Sequence, residues 1–465
     1  MKIEQIYTGC LSQGAYYIES EGEIAIIDPL REVGPYINRA DKANAEIKYI
    51  FETHFHADFV SGHLTLAKQT GAQIVYGPTA NPSFDCIIAE DNQEFKIGSI
   101  SITALHTPGH TMESTTYLLR DEDGKDHAIF TGDTLFLGDV GRPDLAQKSA
   151  SMTQEELAAT LFRSLREKIM PLDDEVIVYP AHGAGSACGK NMMKETVDTL
   201  GNQKRMNYAL RPDMTQEEFV KEVTEGLLPP PQYFPLNVKM NKEGYEDLDK
   251  VIERATKALS PDAFEAAANE TDAIVLDVRH QDEFVKGFIP RSIFIGIDGG
   301  FAPWVGALIA DVKQAILLVV PEGRLEETVT RLSRVGFDNT IGYLEGGFEA
   351  WKNAGKETDQ MVSISTAEYE SRLNEYPTFD VRKEGEYKSE HVENAENTPL
   401  DFLNDHLPEF PDHANFFVHC AGGYRSVIAG SILKSRGIHN LINVEGGMDS
   451  IKKLNIPLES GIQTT

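Results

Sequence analysis

Short apolar runs and helical stretches alternate along this chain, and its second half repeats itself. Together these features predict an α/β protein: one larger N-terminal domain followed by two small parallel-sheet domains. Three observations carry the prediction. Up to about Leu236, strand-like and helix-like segments alternate. The run Leu228-Pro229-Pro230-Pro231, with Pro235 close behind, then interrupts the pattern, because neither a helix interior nor a central strand accepts it. Beyond it, Ala273-Ile274-Val275-Leu276-Asp277-Val278-Arg279 recurs as Pro377-Thr378-Phe379-Asp380-Val381-Arg382. A double repeat is too short for a solenoid, so each copy is read as its own small domain.

Taken in order, Met1 to Tyr7 alternates like a first strand, and Ala25-Ile26-Ile27 is a short buried strand ending at Asp28-Pro29. A helix is expected over Ser61–Thr70, then strands at Gln73–Tyr76, Ile100–Leu105, Thr115–Leu119, Ala128–Thr131 and Glu175–Tyr179. Thr153 to Lys168 reads as a helix, with Thr153 as N-cap and Glu156 as its capping-box partner. The repeat extends to Glu283-Phe284 against Glu386-Tyr387. It also takes in Leu344-Glu345-Gly346-Gly347-Phe348 against Val444-Glu445-Gly446-Gly447-Met448. The expected boundaries are 1–237 for the first domain, 238–254 for a linker, and 255–357 and 362–460 for the two copies.

Of 465 residues, 25% are charged, and the net charge of -30 argues against a polyanion such as nucleic acid as partner. The apolar run Ala315 to Val320 is too short to span a membrane, and the N-terminus reads as a strand, not as a signal peptide. The four cysteines, Cys10, Cys86, Cys188 and Cys420, are scattered and form no disulfide framework. A cytoplasmic protein without membrane attachment is expected, with any special cysteine there for reactivity.

The densest chemistry lies in His54-Phe55-His56-Ala57-Asp58-Phe59, directly after the apolar Tyr49-Ile50-Phe51. Such a cluster is costly to bury unless a cation holds it together. Three further clusters also follow apolar strands: His106-Thr107-Pro108-Gly109-His110, Thr131-Gly132-Asp133 and Tyr179-Pro180-Ala181-His182. If those strands share an edge, their exits converge on one metal site.

The His-x-His-x-Asp run with the later Thr-Pro-Gly-His, Thr-Gly-Asp and Pro-Ala-His resembles the metallo-β-lactamase superfamily over about residues 1–235. The resemblance implies an αββα sandwich with metal at one edge. Dinuclear hydrolases of that family, such as glyoxalase II, carry His after the motif Asp, where this chain has Phe59; an apolar ring cannot ligate. This departure resembles the persulfide dioxygenase branch, which implies one Fe(II) per chain on His54, His110 and Asp133, a facial triad with open positions. His56, Asp58 and His182 would then orient the ligands and hold solvent. The same resemblance implies substrate binding by Arg142, in Gly138-Asp139-Val140-Gly141-Arg142-Pro143-Asp144, and by Tyr179. The bland alternatives are a salt bridge from Arg142 to Asp139 or Asp144 and a packed Tyr179.

In the second copy, the strand end Phe417-Val418-His419 runs into Cys420-Ala421-Gly422-Gly423-Tyr424-Arg425-Ser426, followed by a helix over Val427–Lys434. A cysteine at such a turn sits among N–H donors near a positive helix end, which favours its thiolate. With Asp380, Arg382, Glu386-Tyr387 and Glu445-Gly446-Gly447, the loop resembles a rhodanese sulfurtransferase. The resemblance implies that Cys420 carries a sulfane sulfur, that Arg425 attracts sulfite or thiosulfate, and that Asp380 and Arg382 brace the domain. Gly422, Gly423 and Tyr424 would face the substrate. Ala421 stands where the usual loop carries Arg. The first copy reads Val319-Val320-Pro321-Glu322-Gly323-Arg324 there and has no thiol, so it is read as an inactive spacer.

The order of domains resembles fused persulfide-oxidising enzymes. It implies oxidation of a low-molecular-weight thiol persulfide by O2 to sulfite and thiol, coupled through Cys420 to thiosulfate formation or use, in a dimer or tetramer. The competing readings are a Zn-dependent thioester hydrolase of the glyoxalase II type and a non-enzymatic sulfur-carrier scaffold. Glutathione, coenzyme A and other small thiols all satisfy the pattern, and Cys10, Cys86 and Cys188 receive no role from it.

Overall fold

The computed structural model describes residues 1–460. They pack as two compact units: Met1–Leu248 with Ser333–Gly336, and Asp249–Leu332 with Phe337 onward.

The first unit is built on two six-stranded sheets. One holds Lys2–Thr8, Gln13–Ser20, Glu23–Ile27, Glu46–Phe51, Gln73–Tyr76 and Ile87–Ile88 in chain order. The other runs Asp198–Thr199, Ile177–Pro180, Asp126–Gly132, Thr115–Arg120, Ile100–His106, Glu94–Ile97. Tyr16, Ile18, Ile27 and Phe51 of the first sheet meet Ile102, Tyr117, Leu119 and Phe130 of the second in a core between them. On the outer faces, Tyr17, Ile24, Ile26 and Ile50 pack on Tyr36, Ala40 and Leu66 of helices Gly34–Ala43 and His63–Thr70. Leu118, Ile129 and Val178 pack on Leu157, Leu161 and Phe219 of helices Gln154–Ser164 and Gln216–Thr224. The result is the αββα sandwich. Strands such as Gln13–Ser20 bury both faces, which is why they read as apolar runs without clean alternation.

The capping box forms as expected: Thr153 Oγ1 accepts from Glu156 N at 3.2 Å and Thr153 N donates to Glu156 Oε2 at 2.9 Å. The helix is α-helical only to Ser164; Leu165–Ile169 continue it as a wider π turn. The expected linker 238–254 is mostly helical, through Phe234–Glu243 and Leu248–Ala255. Asn241 on the first of these is buried and ties down the metal-motif loop. Its Nδ2 donates to His56 O and Phe59 O, both at 2.8 Å, and its Oδ1 accepts from Ser61 N at 2.8 Å.

The second unit contains two five-stranded parallel sheets of the same order. The first is Ala258–Leu259, Thr340–Leu344, Ile316–Val319, Ile274–Asp277, Ile293–Phe294. The second is Ser363–Ile364, Leu441–Val444, Phe416–His419, Thr378–Asp380, Glu396–Asn397. The internal repeat is thus a repeat of topology. Among the described residues, no helix is long and apolar enough to cross a membrane.

Candidate functional site

The four polar clusters leave strands of both sheets and meet at one edge of the sandwich. His54 follows Glu46–Phe51, His110 follows Ile100–His106, Asp133 follows Asp126–Gly132, and His182 follows Ile177–Pro180. All four are buried. The turn that delivers Asp133 passes close to Thr53: a Cβ on Gly132, whose φ is +53°, would lie 2.6 Å from the Thr53 side chain. Glycine is therefore required there.

His54 and His110 each use one nitrogen outward and aim the other inward. Nδ1 of His54 meets Thr53 Oγ1 at 3.0 Å, and Nδ1 of His110 meets Arg142 O at 2.9 Å. Their Nε2 atoms lie 3.8 and 3.4 Å from Asp133 Oδ2. Both Asp133 carboxylate oxygens are buried without a hydrogen bond. Burial, together with the neighbouring imidazoles, pushes the His54 pKa well down and leaves the ring neutral. Two neutral-capable imidazoles and an orphaned carboxylate, with donor atoms within 4.8 Å of one another, fit a divalent transition metal. The outward hydrogen bonds fix the tautomers that ligation needs.

Behind this set, His56, Asp58 and His182 form a second buried cluster. His182 Nε2 lies 3.4 Å from Asp58 Oδ2 and 3.5 Å from Asp133 Oδ1. Burial alone would lower its pKa, but the two carboxylates outweigh it and hold it up to about 9. Phe59 is fully buried with its ring 4.3 Å from that of His56, and it offers no donor atom. Cys188 is brought to the same place, among Asp133 and His182, and burial with the nearby carboxylates pushes its thiol pKa well up.

Two buried acids underlie the motif. Asp28 accepts from Thr53 N and Thr53 Oγ1 at 2.8 Å, and its Oδ1 lies 3.0 Å from His56 Nε2. Glu52 accepts from Ser61 Oγ and is pushed well above the usual carboxylate range by burial and by Asp28. Neither acid was singled out from sequence. The available signal was an acid inside or just after an otherwise apolar strand, at Tyr49-Ile50-Phe51-Glu52 and Ile26-Ile27-Asp28.

The expected substrate residues of this domain are differently placed. Arg142 is buried and its guanidinium grips Asp144, with Nε and Nη2 each 2.7 Å from a carboxylate oxygen, while Nη2 also donates to Leu228 O at 2.6 Å. The bland alternative, an ion pair to Asp144, is the contact present. Tyr179 sits in the core between the sheets, stacked on Phe130 at 5.2 Å.

In the second copy, Cys420 ends strand Phe416–His419 and helix Tyr424–Ser435 begins at once. Gly423, with φ of +99°, turns its N–H back onto Cys420 Sγ at 3.1 Å. The thiol is buried, with Ser426 Oγ 3.7 Å away. Asp380 and Arg382 form a buried fork, closest at 2.6 Å, and Arg382 also donates to Glu390 O at 2.7 Å. Arg425 is held by Glu386 at 2.6 and 2.8 Å, so its guanidinium edge faces a carboxylate. Tyr424 leans on the first copy, donating to Gly296 O at 2.7 Å. Gly422 is exposed on the loop and Gly423 is buried beneath it.

Sequence profiles agree with this geometry: the metallo-beta-lactamase superfamily matches residues 8–182, and the rhodanese-like domain matches residues 260–354 and 365–454. The chain belongs to the metallo-β-lactamase superfamily, and two rhodanese-like domains follow that fold. More particularly, it is 30% identical to the human mitochondrial persulfide dioxygenase ETHE1 over 221 residues, covering 47% of this chain and 78% of that protein. It is 33% identical over 166 residues to a cytoplasmic hydroxyacylglutathione hydrolase of Arabidopsis thaliana, covering 35% of this chain and 62% of that one. A metallo-beta-lactamase crystal structure from Staphylococcus aureus superposes with a TM-score of 0.64 at 30% identity, covering 74% of this chain and 98% of that one.

Proposed function

We propose that the first domain, at 1–237, is a mononuclear Fe(II) persulfide dioxygenase, and that the domain at 362–460 is a rhodanese sulfurtransferase acting through Cys420. The domain at 255–357 is its thiol-free companion. The observation that carries the first assignment is the pairing of one complete donor set, His54, His110 and Asp133, with a buried Phe59 beside the second. The net reaction is R–S–SH + O2 + H2O giving R–SH, sulfite and two protons.

Bound Fe(II) would supply the electron-transfer chemistry that makes O2 reactive beside the substrate sulfur. The chain's own residues do the rest. Thr53 and the Arg142 carbonyl hold His54 and His110 with Nε2 inward. Phe59 sets an apolar ring against His56 and offers no ligand atom. His182, with Nε2 between Asp58 and Asp133, is placed to exchange a proton at the edge of the site. In the other domain, Gly423 N–H stabilises sulfur anion on Cys420, suited to carrying a sulfane sulfur to or from sulfite. Having both domains on one chain raises the local concentration of the shared sulfur species.

The second reading is a Zn-dependent thioester hydrolase. It is favoured by the hydroxyacylglutathione hydrolase relative and by the unused buried donors of Asp58 and His182. An oxygen-electrode assay with glutathione persulfide, run on protein of measured metal content, separates them. About one iron per chain with O2 uptake, both lost in His110→Ala, supports the dioxygenase. Two zincs per chain with hydrolysis of S-lactoylglutathione and no O2 uptake would sink it.

A further inference from the structure

The second unit contains a cavity of about 360 Å³ against the Cys420 loop, and the thiol-free copy supplies one of its walls. Gly422 and Gly423 form the side towards the thiol, and Gly423 is the residue whose N–H holds Cys420 Sγ. Lys286 and Asp282 line it from the first copy, and Glu445 and Asn443 from the second. Asn443 is buried, and its Nδ2 donates to Ser363 Oγ, another lining residue. Its Oδ1 is left buried without a partner. Such an acceptor calls for a ligand donor or water.

The charges decide what fits. Two arginines of the second copy are already paired: Arg425 with Glu386 and Arg382 with Asp380. Lys286 enters no ion pair among the described residues, so the cation available to the cavity comes from the copy without a cysteine. Asp282 stands on the same wall as Lys286, four residues before it, and Glu445 stands on the second copy's side. A compact dianion would meet both. A ligand bearing an ammonium and a carboxylate on one carbon matches the charges across the cavity, with its ammonium on Glu445 and its carboxylate on Lys286.

We propose that this cavity binds the zwitterionic α-amino-acid head of a small thiol persulfide, and that Lys286 is its carboxylate-binding residue. The proposal rests on the sulfurtransferase reading of Cys420. With the head held there, the Cys420 thiolate attacks the outer sulfur of R–S–SH. A new S–S bond forms to Cys420, the old one breaks, and its electron pair leaves on R–S⁻. The proton stays on the transferred sulfur, so no external oxidant or reductant enters. The thiol-free copy then has a task that needs no thiol: it selects the sulfur donor.

The test compares two donors on the full-length protein, following addition of one sulfur atom to the Cys420 peptide by mass spectrometry. Glutathione persulfide carries the head; mercaptoethanol persulfide does not. Lys286→Glu is expected to slow transfer from glutathione persulfide about tenfold, the size of one lost charge-assisted contact. It should leave transfer from mercaptoethanol persulfide unchanged, and Lys286→Arg should restore most of the rate. Equal slowing with both donors, or with neither, overturns the proposal. If Cys420 of the unaltered protein accepts sulfur from neither donor, the sulfurtransferase reading falls. Calorimetric titration with S-methylglutathione decides the cavity separately: binding that disappears in Lys286→Glu supports it, and absence of binding to the unaltered protein rejects it.

Discussion

The two rhodanese-like copies share a fold and a brace, yet only one is built around a thiol. In both, a buried Asp-x-Arg fork sits at the end of the fourth strand in the sheet order, with a closest contact of 2.6 Å. Arg279 adds a bond to Gly287 O and Arg382 one to Glu390 O. Each also carries a Gly-Gly turn of positive φ, Gly346-Gly347 and Gly446-Gly447. What differs is the fit of that turn to the loop above it. In the second copy, Met448 N and Asp449 N donate to Cys420 O and Ala421 O at 2.8 and 3.0 Å, and a Cβ on Gly447 would lie 2.2 Å from Cys420 O. In the first, the nearest atom to a Cβ on Gly347 is Val320 O at 3.7 Å. Scaffold and site are therefore separable: the brace persists where there is no thiol, and the tight seat exists only under the thiol.

The largest expected effect tests the site. Cys420→Ser should abolish sulfur transfer, to below about a thousandth of the unaltered rate, because no nucleophile remains. Iron content and O2 uptake should stay as they were. Residual transfer above a tenth of the normal rate would assign the chemistry to another thiol. Next comes the brace. Asp380→Ala or Asp277→Ala leaves a buried guanidinium unpaired, and each should cost about 3–5 kcal/mol in urea unfolding. Costs that differ by more than about 1 kcal/mol would break the claim that the two forks are equivalent. The seat should respond unequally. Gly347→Ala pays only for its left-handed backbone, about 1–2 kcal/mol. Gly447→Ala adds a clash with backbone oxygen, so it should cost about 2 kcal/mol more and slow sulfur transfer. Equal costs in circular-dichroism melts would show that the seat relaxes freely.

Much of this was legible in the chain because it depends on local pattern. Strand Gln73–Tyr76 and the Thr153 capping box need only neighbouring residues, and the repeat exposes the shared topology. Loops directly after strands also marked His54, His110, Asp133 and Cys420, which the structure gathers at two strand-end sites. Contacts made by chains distant in sequence were not legible. Asn241 holds a loop ending nearly two hundred residues earlier, and Cys188 reaches the metal cluster by way of an irregular segment. The packing of Tyr179 and the ion-pair partner of Arg142 were not legible for a different reason. Nearness in sequence to a site residue does not set which face of a strand a side chain takes, nor which carboxylate claims a guanidinium first.

The smallest effect sharpens the comparison at the loop itself. Glu386 pairs with Arg425, whereas its counterpart Glu283 makes no ion pair among the described residues, and Leu325 occupies the place of Arg425. The hydrogen bonds and charge of Arg425 lower the Glu386 pKa below 4.5. A carboxylate with a depressed folded-state pKa adds stability that is fully present above its unfolded value and is lost as pH falls through the folded one. At 38% exposure the pair is screened by solvent, so its worth is about 0.5 kcal/mol at neutral pH. Glu386→Gln should therefore lower stability by about that amount at pH 7. The deficit should shrink as pH drops below 4.5, while Glu283→Gln changes nothing at either pH. A deficit that persists in acid would mean that Glu386 acts by packing, and that the difference between the copies at this position is one of shape, not charge.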